Sequence, residues 1–263
     1  MRKRMTLTLL LLAPAGTLLA QERVRITMGE WPPLISAAQP QYGVVGRLVT
    51  EIFEAAGLAV DYAFVPWKRA MQQVQDGQAH ATAIWGHSPE RDAVFDFSEP
   101  VFTDELVLYY HKDRPLRWDG SEDDIAALRG VTIGQSLGSA KTPMLERAER
   151  RGELHYESSG DEQTNLRKLL LKRIGAVDMS RTSGSYLLQQ HFSPAERAHI
   201  GHTAPFGHWR YCMMFSRKAP GSARYLALFD QGLRRLKASG RYQQLWDDFQ
   251  RDLKSATVFS PHN

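Results

Sequence analysis

Cysteine is nearly absent from this chain of 263 residues, because Cys212 is the only one. An internal disulfide is therefore excluded, and the apolar neighbours Tyr211 and Met213 predict a buried, unreactive thiol rather than a nucleophile. The sequence also lacks the HExxH motif of zinc proteases and the GxxxxGKS/T motif of P-loop nucleotide-binding proteins. Its nine histidines are scattered, so we interpret them as surface or core residues and expect no metal and no other cofactor.

The chain has no large excess of basic or acidic residues when its first 20 residues are not counted. The whole chain has 33 basic and 29 acidic residues. Three of the basic residues, at positions 2–4, precede the apolar run 7–12 and the small residue Ala20. This pattern is typical of a cleavable secretory signal and is too short for a membrane span. Without residues 1–20, 30 basic and 29 acidic residues remain, so the charge does not favour a nucleic-acid partner. We expect export to the periplasm.

Repeats and low-complexity segments are absent, and the mature chain alternates between strand-like and helix-like patterns. Val24 to Met28 reads as a strand, and apolar residues from Val45 to Ala56 recur at helical spacing. Val60 to Val65 is a second strand, Trp67 to Val74 a second helix and His80 to Trp85 a third strand. This order predicts a parallel sheet covered by helices, and so an α/β fold.

The same alternation restarts after the polar segment His111 to Pro115, which we interpret as a crossing between two lobes. Strands are predicted at Val131 to Gly134 and at Ala176 to Ser180, with helices between them. The segment His202 to Pro205 reads as the return crossing. It precedes a strand at Tyr211 to Phe215 and two amphipathic helices.

The stretch from His80 to Phe102 reads HATAIWGHSPERDAVFDFSEPVF and carries the strongest functional signal. Ser88 is placed to cap a short helix that has Pro89 at its first position. Arg91 then lies beyond the carboxyl end of a buried strand, where ligands bind in open α/β sheets, and its planar guanidinium suits a carboxylate. The alternative is a surface ion pair with an acidic neighbour. Those neighbours are Glu90, Asp92 and Asp96.

The order of strand, polar turn, Glu90-Arg91 and then Phe97 to Pro100 resembles the periplasmic solute-binding proteins of the amino-acid type, the extracellular family 3 receptors of ABC importers. The helix break Ser239 to Tyr242, followed by Trp246, resembles the end of that family. The resemblance extends from Val24 to about Phe249. It implies a two-lobed periplasmic-binding-protein fold of type II, with two α/β lobes joined by a two-segment hinge that closes around a ligand.

The resemblance also implies a domain organisation. Residues 1–20 are the expected signal peptide, and 258–263 the expected C-terminal tail. The first lobe is discontinuous, with segments 21–111 and 205–257. The second lobe is the continuous segment 112–204.

The first lobe is expected to hold the ligand's carboxylate and its apolar part. The residues that the resemblance nominates there are Arg91, Trp31, Trp67, Trp85, Gly86 and Ser88. In that family the arginine of this turn grips the α-carboxylate, and aromatic rings bury large area and attract an ammonium group. Packing inside the protein is the alternative role for each of the three tryptophans, because Trp67 also begins the apolar stripe of its helix.

The second lobe contributes Gly138, Ser139, Asp178 and Ser180. The turn at Gly138 and Ser139 matches a small-residue turn at a helix N-terminus, whose free N–H groups would face an anion. Amino-acid receptors usually carry an aspartate at the position of Ser180, where it holds the α-ammonium group. Asp178 lies two residues earlier on the same face of the strand and either substitutes for that aspartate or is structural.

The leading hypothesis is a periplasmic receptor that captures a small carboxylate-bearing solute, an amino acid or related organic acid, by hinge closure. Its expected partner is a membrane ABC permease, or alternatively a membrane signalling protein, and the receptor itself is expected to be a monomer without enzymatic activity. The alternative is an enzyme that resembles cyclohexadienyl dehydratase, with Glu30 or Asp178 as the acid.

Overall fold

The computed structural model describes residues 21–137, 139 and 141–258. The predicted signal peptide, the candidate Gly138 and the predicted tail after residue 258 lie outside the described residues.

The described residues form strands and helices in alternation. The strands are β1 Arg23–Met28, β2 Ala59–Phe64, β3 Ala81–Trp85, β4 Phe95–Phe97, β5 Phe102–His111, β6 Thr132–Ser136, β7 His155–Ser159, β8 Ala176–Ser180, β9 Ile200–His202 and β10 Gly207–Ser216. The helices are α1 Gly43–Ala55, α2 Trp67–Gln75, α3 Pro89–Asp92, α4 Pro143–Arg150, α5 Glu162–Leu170, α6 Arg181–His191, α7 Pro194–Ala198, α8 Ser222–Ala238 and α9 Arg241–Val258. Short 3-10 helices occupy Pro40–Tyr42 and Ile125–Leu128.

One continuous sheet runs through both lobes in the order β2-β1-β3-β10-β5-β8-β6-β7. Strands β2, β1 and β3 are mutually parallel in the first lobe, and β8, β6 and β7 are mutually parallel in the second. The antiparallel strands β10 and β5 lie between these two groups. The predicted strand and helix alternation is confirmed, and the protein has the two-lobed α/β architecture that it implies.

Two long strands cross between the lobes. The first half of β5, Phe102–Leu106, pairs with Gly207–Tyr211 of β10, and the second half, Leu106–Tyr110, pairs with β8 of the second lobe. Phe102 belongs to the apolar core of the first lobe, whereas Val107, Leu108 and Tyr109 belong to the cores of the second. We therefore propose that the lobe boundary lies inside β5, earlier than the sequence-based boundary after His111.

Each lobe has its own apolar core. In the first lobe, the sheet packs against α1, α8 and α9 through residues that are at most 9% exposed, such as Phe53, Phe229 and Phe249. The second lobe has a core on each side of β8: Ala176 packs on one side, and Val177 and Met179 on the other. The predicted alternation of faces along β8 is therefore confirmed.

Cys212 lies in β10 and is fully buried. Burial raises the pKa of its thiol to about 11. The predicted burial of Cys212 is confirmed, and the raised pKa disfavours the nucleophilic thiolate at neutral pH.

Candidate functional site

The candidate residues lie at the carboxyl ends of the parallel strands. In the first lobe, Trp31 follows β1, Trp67 begins α2 after β2, and Arg91 lies in α3 after β3. In the second lobe, Ser139 follows β6 and Ser180 ends β8. Both edges are of the kind at which open α/β sheets bind ligands.

The turn after β3 holds Arg91 in place. Ser88 caps α3, because its Oγ accepts a hydrogen bond from the Arg91 backbone N–H at 3.4 Å, and Pro89 occupies the first turn, as the sequence predicts. The Arg91 side chain donates from Nη1 to the Gly86 carbonyl oxygen at 2.9 Å. Its guanidinium carbon lies 4.9 Å from the ring centroid of Trp85. These contacts fix the guanidinium at the edge of the sheet.

The guanidinium of Arg91 has no ion-pair partner among the described residues. Asp92 pairs instead with His87, with 2.8 Å between Oδ1 and Nδ1, and Asp96 pairs with Arg217 at 2.8 Å.

The charges of Glu90 and Asp92 still act on Arg91 and partly offset the effect of its burial on the pKa, but neither carboxylate forms a direct ion pair with it among the described residues. Arg91 is half-buried, and this burial lowers its pKa. A partly desolvated charge without a counter-ion favours the binding of an anion.

Tryptophan rings form a wall beside Arg91. The rings of Trp67 and Trp85 meet edge to face, with their centroids 5.2 Å apart. The Trp67 Nε1–H donates to the Glu30 carbonyl oxygen at 3.2 Å, and the Trp85 Nε1–H donates to Thr82 Oγ1 at 3.0 Å. Both rings are half-buried. Their N–H groups are satisfied, so what remains exposed is apolar ring surface suited to contact with a ligand.

Trp31 connects the first lobe to the crossing strands. Its ring centroid lies 4.8 Å from that of Tyr211 in β10 and 6.3 Å from that of Phe102 in β5. Part of the Trp31 ring therefore packs inside the protein, which is the alternative role that the sequence predicted. Trp31 follows β1, which pairs with β3, the strand that precedes Arg91.

Trp209 is a neighbour of this site that sequence reasoning missed. A Cβ atom at Gly86 would overlap the indole of Trp209, so the backbone of residue 86 and this ring are in close contact. Only glycine permits such an approach. Trp209 lies opposite Asp104 in the pairing of β10 with β5. The strand predicted from the sequence begins at Tyr211, two residues after Trp209, whereas β10 begins at Gly207. The pairing of β10 with β3 brings Trp209 to Gly86.

Asp178 lies at the second-lobe side of the crossing. Its Oδ2 accepts a hydrogen bond from the Tyr156 hydroxyl at 2.8 Å. Burial raises the pKa of Asp178 to about 6, although the Tyr156 hydrogen bond and the charge of Lys141 both lower it. One carboxylate oxygen of Asp178 is thus bonded to a residue of the protein. This contact agrees with the alternative that Asp178 has a structural role.

Two further carboxylates that the sequence reasoning missed lie near Asp178. Glu162 begins α5, and burial together with the charges of Asp178 and Asp104 raises its pKa to about 7. Asp104 is 8% exposed; its Oδ1 accepts from the Thr182 hydroxyl at 3.0 Å, and its Oδ2 is buried without a hydrogen-bond partner in the described part of the chain. The three carboxylates make the second-lobe side strongly acidic.

Tyr211 links the two sides of this site. Burial and then the charges of Asp104, Glu162 and Asp178 raise the pKa of Tyr211. Trp31 contacts the same ring from the first lobe. The aromatic and acidic groups therefore meet at the crossing strands.

The chain matches the family model of the bacterial extracellular solute-binding proteins, family 3, over residues 24–251. The chain belongs to this family. The expected family resemblance is thereby confirmed, and the family is extracellular by description. No curated protein sequence is significantly similar to this family 3 protein.

Solved structures with the same fold include proteins of different roles. A histidine kinase sensor domain with similarity to periplasmic binding proteins has a TM-score of 0.70 at 20% identity, covering 87% of this chain and 96% of that chain. An amino-acid ABC transporter substrate-binding protein from Streptococcus pneumoniae, bound to L-arginine, has a TM-score of 0.67 at 18% identity, with coverage of 88% and 95%. An ancestral amino-acid-binding protein, described as a precursor of cyclohexadienyl dehydratase, has a TM-score of 0.65 at 16% identity, with coverage of 86% and 94%. These likenesses establish the fold of this family 3 protein.

Among its described residues, this family 3 protein has no helix that is both long and apolar enough to cross a membrane.

The turn after β6 differs from the expected helix N-terminus. Helix α4 begins only at Pro143, and its N-cap Thr142 accepts a hydrogen bond from a backbone N–H of the first turn. The N–H of Ser139 instead donates to the Ser136 carbonyl oxygen at 3.1 Å. Three residues separate Ser139 from the first residue of the helix, so Thr142 and not Ser139 occupies the N-cap. A contact between Ser139 and an anion stays a prediction.

The segment GQSLG around Ser136 matches the GxSxG pattern of serine hydrolases. The hydroxyl oxygen of Ser136 is buried and has no hydrogen-bond partner among the residues described. A nucleophilic serine requires a base within hydrogen-bonding distance. The described residues place no base within hydrogen-bonding distance of the Ser136 hydroxyl.

Ser180 has a local structural role. Its Oγ accepts a hydrogen bond from the Ser183 backbone N–H at 3.2 Å and caps helix α6. Ser180 is 5% exposed. A contact between Ser180 and a ligand stays a prediction.

Proposed function

We propose that this protein is a periplasmic receptor that binds a small carboxylate-bearing solute between its lobes and does not transform it. The observation that carries this proposal is the half-buried guanidinium of Arg91, which forms no direct ion pair in the described part of the chain. The contacts with Gly86 and Trp85 hold its donors in a fixed orientation. A ligand carboxylate would supply the missing charge and accept paired hydrogen bonds.

The second lobe supports a ligand that also carries a positive group. Asp178, Glu162 and Asp104 approach one another closely enough that their charges interact. A cation would relieve the repulsion among these carboxylates and lower their pKa values. An amino acid therefore suits the site better than a plain carboxylic acid. Asp178 would hold the α-ammonium group, because the position at which these receptors usually carry an aspartate is occupied here by Ser180.

Closure of the two lobes would complete the binding site. Within the described part of the sheet, only the crossing strands β5 and β10 lie between the parallel strands of the first lobe and those of the second. We propose that these two strands are the hinge. The closed form would be recognised by a membrane ABC permease, in keeping with the transporter protein of similar fold. The similar histidine kinase sensor domain supports a membrane signalling protein as the alternative partner. We propose that the exported receptor acts as a monomer.

A thermal-shift screen of the protein without residues 1–20 tests this function. The panel contains the amino acids, dicarboxylates and aromatic acids, each at millimolar concentration. We expect a shift from at least one α-amino acid, because a ligand at 100 times its Kd adds about 2.7 kcal/mol to the free energy of unfolding. The matching amide, which lacks the carboxylate, is the control for each hit. Equal shifts with the acid and its amide would contradict carboxylate recognition.

Acid catalysis is the second candidate function, because burial raises the pKa values of both Glu162 and Asp178. A carboxyl group that is protonated near neutral pH is a competent general acid. The earlier nominee Glu30 fits less well, since its Oε1 accepts a hydrogen bond from the Ala37 backbone N–H and its side chain is exposed.

Incubation with prephenate separates binding from catalysis. We expect at most stoichiometric binding, with no phenylpyruvate formed over many protein equivalents. The Glu162→Gln and Asp178→Asn variants are the controls for any product that does form. Multiple turnovers by the wild type, lost in either variant, would establish the enzymatic candidate instead.

A further inference from the structure

Two histidines and an aspartate meet in the second lobe, outside the proposed solute site. They are His111, the last residue of β5, Asp113 and His199. One ligand atom from each lies within 4.8 Å of the others. The two imidazole rings are stacked, with centroids 5.3 Å apart and planes inclined by 20°. Strand β5 carries His111 away from the crossing, so this cluster belongs to the far end of that strand.

Strand pairing brings these residues together. His111 lies opposite Ile200 of β9, and the backbone N–H of Lys112 donates to the His199 carbonyl oxygen at 2.8 Å. The two histidines are far apart in the sequence, so the sequence did not indicate this contact. The expectation that the histidines are scattered is wrong for His111 and His199.

The cluster borders a cavity of about 400 Å³. Lys172 and Glu196 also line it. This volume leaves space for an ion and its remaining water ligands. His199 and Asp113 are exposed, which gives an ion a path from solvent, whereas His111 is buried and forms the floor of the cavity.

We propose that His111, Asp113 and His199 bind a divalent transition-metal ion of the zinc class. Two imidazole nitrogens and one carboxylate oxygen are a donor set that suits Zn²⁺, with a fourth position for water. Zinc–nitrogen distances of about 2.0–2.1 Å require the donors to move together by roughly 1 Å. The ring of His199 makes no hydrogen bond to another described residue that would resist this movement.

Two contacts within the protein involve the proposed ligand atoms. The Lys172 ammonium lies 2.7 Å from Asp113 Oδ2, and the Asp113 backbone N–H donates to His111 Nδ1 at 3.1 Å. A bound ion displaces the ammonium from the carboxylate. Lys172 therefore acts as a competing cation that weakens metal binding.

The test is a calorimetric titration of the protein with ZnCl₂, using protein without a histidine tag that has been freed of metal with a chelator. We expect one Zn²⁺ per chain and no saturable binding of Mg²⁺, which prefers oxygen ligands. His199→Gln and Asp113→Asn should each weaken Zn²⁺ binding by at least about tenfold. Lys172→Gln should tighten it, an effect that a merely structural role of the cluster would not produce.

His155→Gln is the matched control, because His155 is an exposed histidine of the same lobe outside the cluster. Its Zn²⁺ affinity should equal that of the wild type. The buried His111 is left intact so that every variant folds, which circular dichroism verifies. The proposal is overturned if the wild type binds no stoichiometric Zn²⁺, if His199→Gln binds as tightly as the wild type, or if Lys172→Gln binds no more tightly.

Discussion

Arg91→Ala should abolish the thermal shift produced by a carboxylate ligand and leave the ligand-free protein nearly as stable as the wild type. Hydrogen bonds to charged groups contribute roughly 1.5–3 kcal/mol each, so loss of a paired contact weakens binding by at least about a hundredfold. The side chain makes one hydrogen bond inside the protein, to Gly86. Its removal should therefore lower the free energy of unfolding by about 1 kcal/mol. Thermal shift and calorimetry measure the two effects separately.

Arg217→Ala is the matched control in the same lobe. The Arg217 guanidinium is fully engaged, since it pairs with Asp96 and donates to the carbonyl oxygens of Ala93 and Phe95. We expect this variant to lose stability but retain ligand affinity, the opposite of Arg91→Ala. Arg91→Lys should bind with intermediate affinity, because lysine keeps the charge but not the planar fork of donors. Unchanged affinity in Arg91→Ala would remove the basis of the proposed carboxylate site.

Glu162→Gln should stabilise the ligand-free protein at neutral pH and do so much less in acid. The pKa of Glu162 is raised from 4.5 to about 7 in the folded protein. The folded state therefore takes up a proton before the unfolded chain does, so this group's contribution to stability is full at low pH and is lost as the pH rises through about 7. Glutamine imitates the protonated form. We expect the variant to be more stable by about 2 kcal/mol at pH 7.5 and by less than about 1 kcal/mol at pH 5.

Urea unfolding at both pH values measures the difference in free energy of unfolding between the variant and the wild type. Other titrating groups contribute equally to both proteins, so their contributions cancel. One such group is His80, whose pKa is lowered by burial and which opposes folding as the pH falls. The control is Glu146→Gln, an exposed glutamate of the same lobe, which should change stability by less than about 0.5 kcal/mol at either pH. A Glu162→Gln variant that is less stable than the wild type at pH 7.5 would refute the proposed acidic cluster.

Local patterns were sufficient for much of the first lobe. The cap of α3 depends only on Ser88 and Pro89, which are neighbours in sequence, and it forms as predicted. The helical spacing of Val45 to Ala56 predicts α1 because side chains three and four positions apart share a helix face. The turn near Ser139 was less predictable, since glycine and serine suit many connections and do not fix where the next helix begins.

The sequence by itself determined the strands and helices, their alternation, the family and the position of Arg91 after a buried strand. Each of these depends on residues close together in the chain, where backbone geometry and side-chain periodicity act directly. Only the tertiary structure decided that Arg91 forms no direct ion pair and that Trp209 lies on Gly86. It also decided that the three carboxylates lie near one another and that the two histidines do, although they come from distant segments of the chain. The tryptophan contact arises from the pairing of β3 with β10, and the other two groups arise from the pairing of β5 with β8 and β9. Strand pairing joins residues whose separation along the chain no local pattern records.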